Sequence, residues 1–147
     1  MAAIAHPLTA SKSRSTSFAA PVVFLGRLFF AVLFVLAGLN HFKSATIAYA
    51  ASQGAPLASI AVPFSGVLAL AGGLSVLIGY RAKVGALLIA LFLIGVTPVM
   101  HAFWNVSDPI MHQMQWVMFM KNLSMLGGAL LISQFGAGPW SLDNRNR

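Results

Sequence analysis

The sequence contains no cysteine and only two acidic residues, Asp108 and Asp143, among its 147 residues. The lack of cysteine excludes disulfides, thiolate metal sites and cysteine-ligated iron–sulfur clusters built by this chain alone. Charged residues make up 7% of the chain and hydrophobic residues 59%. Because this leaves too little polar surface to cover a soluble globule of this size, we expect the chain to be surrounded by lipid.

Four apolar stretches fill more than half of the chain, at residues 22–42, 60–80, 84–104 and 114–135. At about 1.5 Å of rise per residue, each is long enough to cross a hydrocarbon layer of about 30 Å as a helix. The stretches lack the alternating polarity of barrel strands, and lipid tolerates only helices and closed barrels. The sequence therefore predicts an all-α fold, one bundle of four transmembrane helices at 22–135. Residues 1–21 are predicted to be a disordered tail and residues 136–147 a short tail.

The lysines and arginines outside the apolar stretches are distributed unevenly. Those on the side of the two termini and the second connection are Lys12, Arg14, Arg81, Lys83, Arg145 and Arg147, and the opposite side has only Lys43. Since cytoplasmic segments carry the excess of basic residues, both termini are predicted to be cytoplasmic. The net charge of +7 then reflects orientation and contact with anionic lipid head groups, and nucleic-acid binding is not expected.

Polar residues collect towards the predicted outer ends of the helices. We call them the outer polar group; its members are His41, His101, Lys121 and Asn122, with Asn40, Asp108 and His112 at the rim. Such a group can relay protons, hold a quinol head group or ligate a metal. The alternative is a set of interfacial side chains that contact water and head groups, and both interpretations stay open. No pair has a spacing typical of a metal site, so no metal ligands are assigned.

Lys121 is the most costly residue in the predicted spans, because no acid lies in any of them. Helical rise places it about 10 Å beyond Met114, and the following Asn122 faces another direction. A Lys-Asn pair at that depth favours a position that points into the bundle, and the alternative, in which Lys121 extends to the interface, stays open. Six of the seven methionines lie between Met100 and Met125, and thioethers beside histidine suit Cu(I). Methionine is also a flexible apolar filler. The cofactor is thus left unassigned, with a quinone preferred to copper or haem.

Small residues recur every four positions in the second stretch, at Ala61, Ser65, Ala69 and Gly73. Small side chains let two helix backbones approach closely in a membrane. This stripe therefore predicts a helix contact, within one chain rather than in a homodimer.

Several short motifs follow one another at fixed places relative to the four spans. They are Gly26-Arg27, Ala37 through His41, Gly72 through Gly79, His101 through Trp104, Lys121 through Gly128, and Gly136 through Asp143. Their order and spacing resemble the DoxX family of small four-helix membrane proteins, over about residues 22–143. That family often has a glutamate where this chain has Ala69 and a lysine where it has His41. A charge relay built on that pair is therefore not carried over.

The resemblance implies a bacterial inner-membrane protein that acts as an accessory or partner subunit of a quinone-linked redox or oxidative-stress system. With no acid–base pair in the spans, the chain is expected to work through a membrane or peripheral protein partner rather than as a complete enzyme. One alternative is a small quinone-reactive oxidoreductase subunit, in which His41, His101 and Lys121 hydrogen-bond the quinone carbonyls. Another is a transporter of a small solute or a metal, formed by a homo-oligomer.

Overall fold

The computed structural model describes residues 16–145, and this part of the chain contains helices and no strand. The helices are α1 (Thr16–Asn40), α2 (Ser44–Ser52), α3 (Ala58–Ile78), α4 (Ala82–Met100), α5 (Pro109–Phe135) and α6 (Leu142–Arg145), with a 3-10 turn at Phe103–Asn105. The disordered tail predicted at 1–21 lies outside the described residues as far as residue 15. The rest of that segment belongs to α1, which begins at Thr16.

Each predicted span coincides with one long helix. Within residues 16–145, four helices are long and apolar enough to cross a membrane, with a mean hydropathy that runs from 2.5 in α1 to 1.3 in α5. This confirms the all-α fold with four transmembrane helices. The cytoplasmic location of the termini stays a prediction.

The start of α5 differs from the start of the apolar stretch at residue 114. Asp108 precedes the helix, and its Oδ1 accepts a 2.8 Å hydrogen bond from the N–H of Met111. Pro109 follows in the first turn, where a missing N–H costs nothing. The cap therefore extends α5 towards its N-terminus, so that Lys121 comes 12 residues after Pro109, near the middle of a helix of 27 residues.

The connection between α1 and α3 contains the short helix α2, which hydropathy alone did not predict. With nine residues, α2 is too short to span a membrane. Its buried Ala50 packs against Ala58 and Val62 of α3. The connection therefore folds back onto the end of the bundle.

The four long helices pack in the order α1, α3, α4, α5. Glycines make the closest approaches between them: a Cβ on Gly38 would lie 2.7 Å from the backbone nitrogen of Leu70, and one on Gly72 would lie 2.7 Å from the carbonyl oxygen of Gly85. The backbones of α1 and α4 thus contact that of α3, as expected for small residues in membrane helices. The largest fully buried side chains are Phe34, Val76, Ile89 and Leu93, and Ala129 of α5 joins their cluster.

The predicted small-residue stripe of α3 divides into two parts. Ala69 and Gly73 are buried, and a Cβ on Gly73 would lie 3.0 Å from the backbone nitrogen of Val35 in α1. Ala61 and Ser65 instead line a cavity. The stripe therefore forms the expected helix contact over half of its length and leaves an open space over the other half.

Candidate functional site

The structure separates the members of the outer polar group rather than joining them in one site. His41, at the end of α1, has its Nδ1 2.6 Å from the carbonyl oxygen of Ala37 in the same helix. Its ring contacts Phe92 of α4 edge-on, with 5.5 Å between ring centroids. Asn40, its neighbour, is exposed.

Two further members of the group connect α4 to α5. His101 Nδ1 lies 2.8 Å from Oε1 of Gln115, and Nδ2 of Asn122 donates a 3.1 Å hydrogen bond to Oγ1 of the buried Thr97. Polar side chains that bond across helices in this way stabilise membrane bundles. These contacts give His101 and Asn122 a role in packing α4 against α5.

The three remaining members of the group are Asp108, His112 and Lys121, and each has a different environment. Asp108 caps α5 as described above, and the ring of His112 contacts that of Phe103 at 5.6 Å. Lys121 is exposed on α5, with no hydrogen bond or ion pair to any residue within 16–145. It faces away from the bundle, whereas the neighbouring Asn122 faces α4. Over the same residues, no three His, Asp or Glu side chains come close enough to hold a metal.

A cavity of about 360 Å³ lies between α3 and α4, beside the end of α1 and under α2. Its polar side chains are His41, Thr46 and Ser65, and the other lining side chains are apolar. Five of the lining residues are also exposed, namely Pro56, Ala61, Phe64, Leu91 and Gly95. The cavity is therefore open towards the surface that lipid would cover. Of the outer polar group, only His41 lines it.

The outward face of α5 differs from the apolar faces of the other long helices. The exposed residues around Lys121 include Gln113, Ser124, Gly127 and Gln134. A Cβ on Gly127 would meet no atom within 4 Å. We call these five residues the α5 outer face. It is the small and polar part of an exposed surface of α5 that also contains the apolar side chains of Met120, Leu123 and Leu131.

At the opposite end of the bundle, Arg27 connects α1 to the segment after α5. Its side chain is only 5% exposed, and its two terminal nitrogens each donate a 2.6 Å hydrogen bond, to the carbonyl oxygens of Ala137 and Trp140. The guanidinium also lies 5.6 Å from the ring centroid of Phe24, a cation–π distance. Arg27 therefore holds the C-terminal segment to the bundle.

Asp143 makes the second connection of this C-terminal segment. Its Oδ1 and Oδ2 accept hydrogen bonds of 2.7 and 2.9 Å from the backbone N–H groups of Arg81 and Ala82, where α4 begins. Its own N–H donates to the carbonyl of Gly79 at 2.8 Å. The segment after α5 thus closes over the turn between α3 and α4. We call this arrangement of Arg27, Asp143 and residues 136–145 the C-terminal clasp.

The roles of Arg27 and Asp143 were not predicted from the sequence. One available signal was an arginine inside an apolar stretch, which in lipid calls for a partner. The other was the glycine pair after the last span: Gly136 and Gly138 have φ of +81° and +70°, a conformation that favours glycine and turns the chain back. The clasp places the start of α1, the α3–α4 turn and residues 136–145 at one end of the bundle, as the charge pattern requires.

Four apolar spans with tightly packed backbones define a multi-pass integral membrane protein. A profile of the SURF4 family matches residues 56–147, more than half of the chain. The chain therefore belongs to the SURF4 family.

Three relatives show how far the similarity extends. The inner membrane protein YphA of Escherichia coli is 28% identical over 131 residues, which cover 86% of this chain and 92% of that protein. The inner membrane protein YqjF of the same organism is 30% identical over 123 residues, or 82% of this chain and 88% of that protein. The ER-derived vesicles protein ERV29 of Saccharomyces cerevisiae is 29% identical over 84 residues, 57% of this chain but 27% of its own length. No solved structure matches.

These comparisons correct one prediction and confirm another. The assignment to the DoxX family is wrong, because the family profile that matches is that of SURF4. Several of the motifs behind that assignment serve packing: Gly72 contacts Gly85, and Arg27 holds the C-terminal clasp. The quinone-linked and oxidative-stress roles followed from the resemblance and are withdrawn with it. The predicted location in the inner membrane is confirmed, since the relatives YphA and YqjF are inner membrane proteins and this chain has four helices long and apolar enough to span a membrane within its described residues.

Proposed function

We propose that this protein is an accessory membrane protein that binds a transmembrane helix of another protein on the α5 outer face. The observation that carries the proposal is the exposed Lys121 in the middle of a membrane-spanning helix. An ammonium group in hydrocarbon is costly unless it reaches the interface or meets an opposite charge. We infer that Lys121 meets an opposite charge on another molecule rather than reaching the interface, since it lies near the middle of a helix of 27 residues.

Neither acid of this chain can neutralise Lys121. Asp108 is 13 residues away along α5, about 20 Å at helical rise, and its carboxylate already caps the helix. Asp143 lies in the clasp, where it bonds the backbone of Arg81 and Ala82. In this proposal the compensating carboxylate comes from another molecule.

The positive charge of Lys121 also indicates whether the partner is a second copy of this chain or a different protein. In a parallel pair of identical chains related by a twofold axis through this face, Lys121 would meet a second Lys121 and no acid. A helix of a different protein, with an Asp or Glu at the same membrane depth, provides the opposite charge. Ser124 and Gly127 beside Lys121 leave room for the backbone of that helix to approach closely.

Photocrosslinking in the native membrane tests this proposal. A photoreactive amino acid at Ser124, on the α5 outer face, is compared with one at Phe29, which is 70% exposed on α1. We expect the probe at Ser124, and not that at Phe29, to capture one membrane protein, identified by mass spectrometry. Capture of lipid alone, or of a second copy of this chain, would contradict the proposal.

A charge exchange then tests the role of Lys121. We expect Lys121→Glu to reduce the crosslink by about tenfold, because two buried carboxylates repel each other. Exchanging the matching acid of the partner for lysine should restore it. Lys43→Glu, at an exposed lysine outside the spans, is the matched control and should leave the crosslink unchanged.

A further inference from the structure

The geometry points to the cavity between α3 and α4 as a binding site for a small amphipathic molecule that has an apolar body and a hydroxyl group. In this site the hydroxyl donates a hydrogen bond to Nε2 of His41. The inference does not depend on the partner helix, since the cavity and the α5 outer face share no residue.

The size and lining of the cavity define the body of the ligand. An apolar cavity of about 150 Å³ stays dry and accepts benzene, and this one holds about 360 Å³. Water requires several polar partners, and of the three polar side chains here, Ser65 already donates its hydroxyl to the carbonyl of Val62 at 2.8 Å. An alkyl-substituted aromatic ring fits both the volume and the apolar walls.

The hydrogen bond of His41 defines the polar group of the ligand. A carbonyl oxygen can only accept, so the 2.6 Å contact with Ala37 requires a proton on Nδ1. In the neutral ring, Nε2 then carries a lone pair, and no other residue within 16–145 donates to it. The edge contact with Phe92 holds the ring in place. The site therefore presents a fixed acceptor, which suits a phenol or an alcohol.

This tautomer distinguishes the ligand from the quinone expected at the outset. A quinone carbonyl can only accept a hydrogen bond, and the Nδ1–H of His41 is already donated to Ala37. The hydroxyl of Thr46 is another donor in the lining, but a quinone would leave the lone pair on Nε2 of His41 unused, whereas a phenol or an alcohol bonds to it. The two other residues assigned to the quinone carbonyls, His101 and Lys121, do not line the cavity. Phe64 and Leu91 both line the cavity and are exposed, so access from the lipid side suits a molecule that partitions into the bilayer.

Two probes that differ by one hydrogen-bond donor test the inference. Radiolabelled 4-pentylphenol and its methyl ether, 4-pentylanisole, are bound to the purified protein in nanodiscs, with empty nanodiscs subtracted. We expect saturable binding of both, and roughly fivefold to tenfold tighter binding of the phenol, the size of one hydrogen bond. Equal affinity for the two probes, or no saturable binding, would overturn the inference without any need for a variant.

Variants of the protein then locate the bound probe. Gly95 lines the cavity, and a Cβ there meets no atom within 4 Å, so Gly95→Leu fills the space without a clash. It should abolish saturable binding of both probes, whereas Gly26→Leu, at a glycine equally free of neighbours on α1, should bind both as the parent does. His41→Phe keeps a ring against Phe92 and should make the two affinities equal. Binding by Gly95→Leu at the parental level, or a phenol preference that survives His41→Phe, would count against the site.

Discussion

The guanidinium of Arg27 donates a 2.6 Å hydrogen bond to the carbonyl oxygen of Ala137, a residue 110 positions further along the chain. A second bond of the same length reaches Trp140. Hydrogen bonds from a charged donor are stronger than those between neutral groups. This pair of residues therefore ties the first helix to the segment that follows the last one, and it makes the C-terminal clasp part of the folded bundle.

Replacement of Arg27 by methionine should release the clasp. Two charge-assisted hydrogen bonds are lost and two carbonyls are left unpaired, so we expect a stability loss of about 2 kcal/mol, reduced by the desolvation cost that the arginine no longer bears. Hydrogen–deuterium exchange should accelerate in residues 136–145. Arg145→Met removes an equal charge from an exposed residue and should change nothing; unaltered exchange in Arg27→Met would mean that the clasp is held by other contacts.

Replacement of Asp143 by alanine should destabilise the turn between α3 and α4. The carboxylate caps the first N–H groups of α4 at Arg81 and Ala82, and the loss of a cap costs about 1 kcal/mol. We expect a lower melting temperature in detergent, with Asp143→Asn intermediate because its amide oxygen can still accept. Asn144→Ala, next to it and exposed, is the control. A melting temperature of Asp143→Ala equal to that of the parent would show that water replaces the cap.

Replacement of Gly73 by leucine should disrupt the contact between α1 and α3. A Cβ at this position already lies 3.0 Å from the backbone nitrogen of Val35 and 3.2 Å from the carbonyl oxygen of Ala31, and overpacking costs about 1–3 kcal/mol. Gly26→Leu makes the same change where no atom lies within 4 Å and should leave the melting temperature near that of the parent. Equal melting temperatures for the two variants would contradict this packing.

Cysteine labelling should show which end of the bundle faces the cytoplasm. The chain has no cysteine of its own, and single cysteines at the exposed Ser52 and Ser107 lie in connections predicted to be outside. We expect both to react with an impermeant maleimide in intact cells, whereas a cysteine at the exposed Tyr80 should react only after lysis. The reverse pattern would place the clasp outside and His41 at the cytoplasmic end.

The outer polar group shows which features of the site could be predicted from the sequence and which could not. Placing His41, His101 and Lys121 towards the same end of the bundle required only their positions in the spans. Their side-chain directions were not predictable, because they depend on the rotation of each helix about its axis. In the structure His41 turns towards α4 and a cavity, His101 bonds Gln115, and Lys121 faces outwards. The side chains of Lys121 and Asn122 take different directions, since consecutive residues on a helix point about 100° apart, and Asn122 bonds Thr97 of α4.

The sequence by itself determined that the chain lies in a lipid bilayer and how many helices span it. Hydropathy and length are properties of each stretch alone, and a backbone in lipid has to satisfy its own hydrogen bonds, so four stretches of sufficient length became four helices. The tertiary structure alone decided the cavity beside His41 and the clasp at Arg27. Both depend on how far the helices approach one another and which faces meet, and residues as distant as Arg27 and Ala137 come together only when the whole bundle is packed.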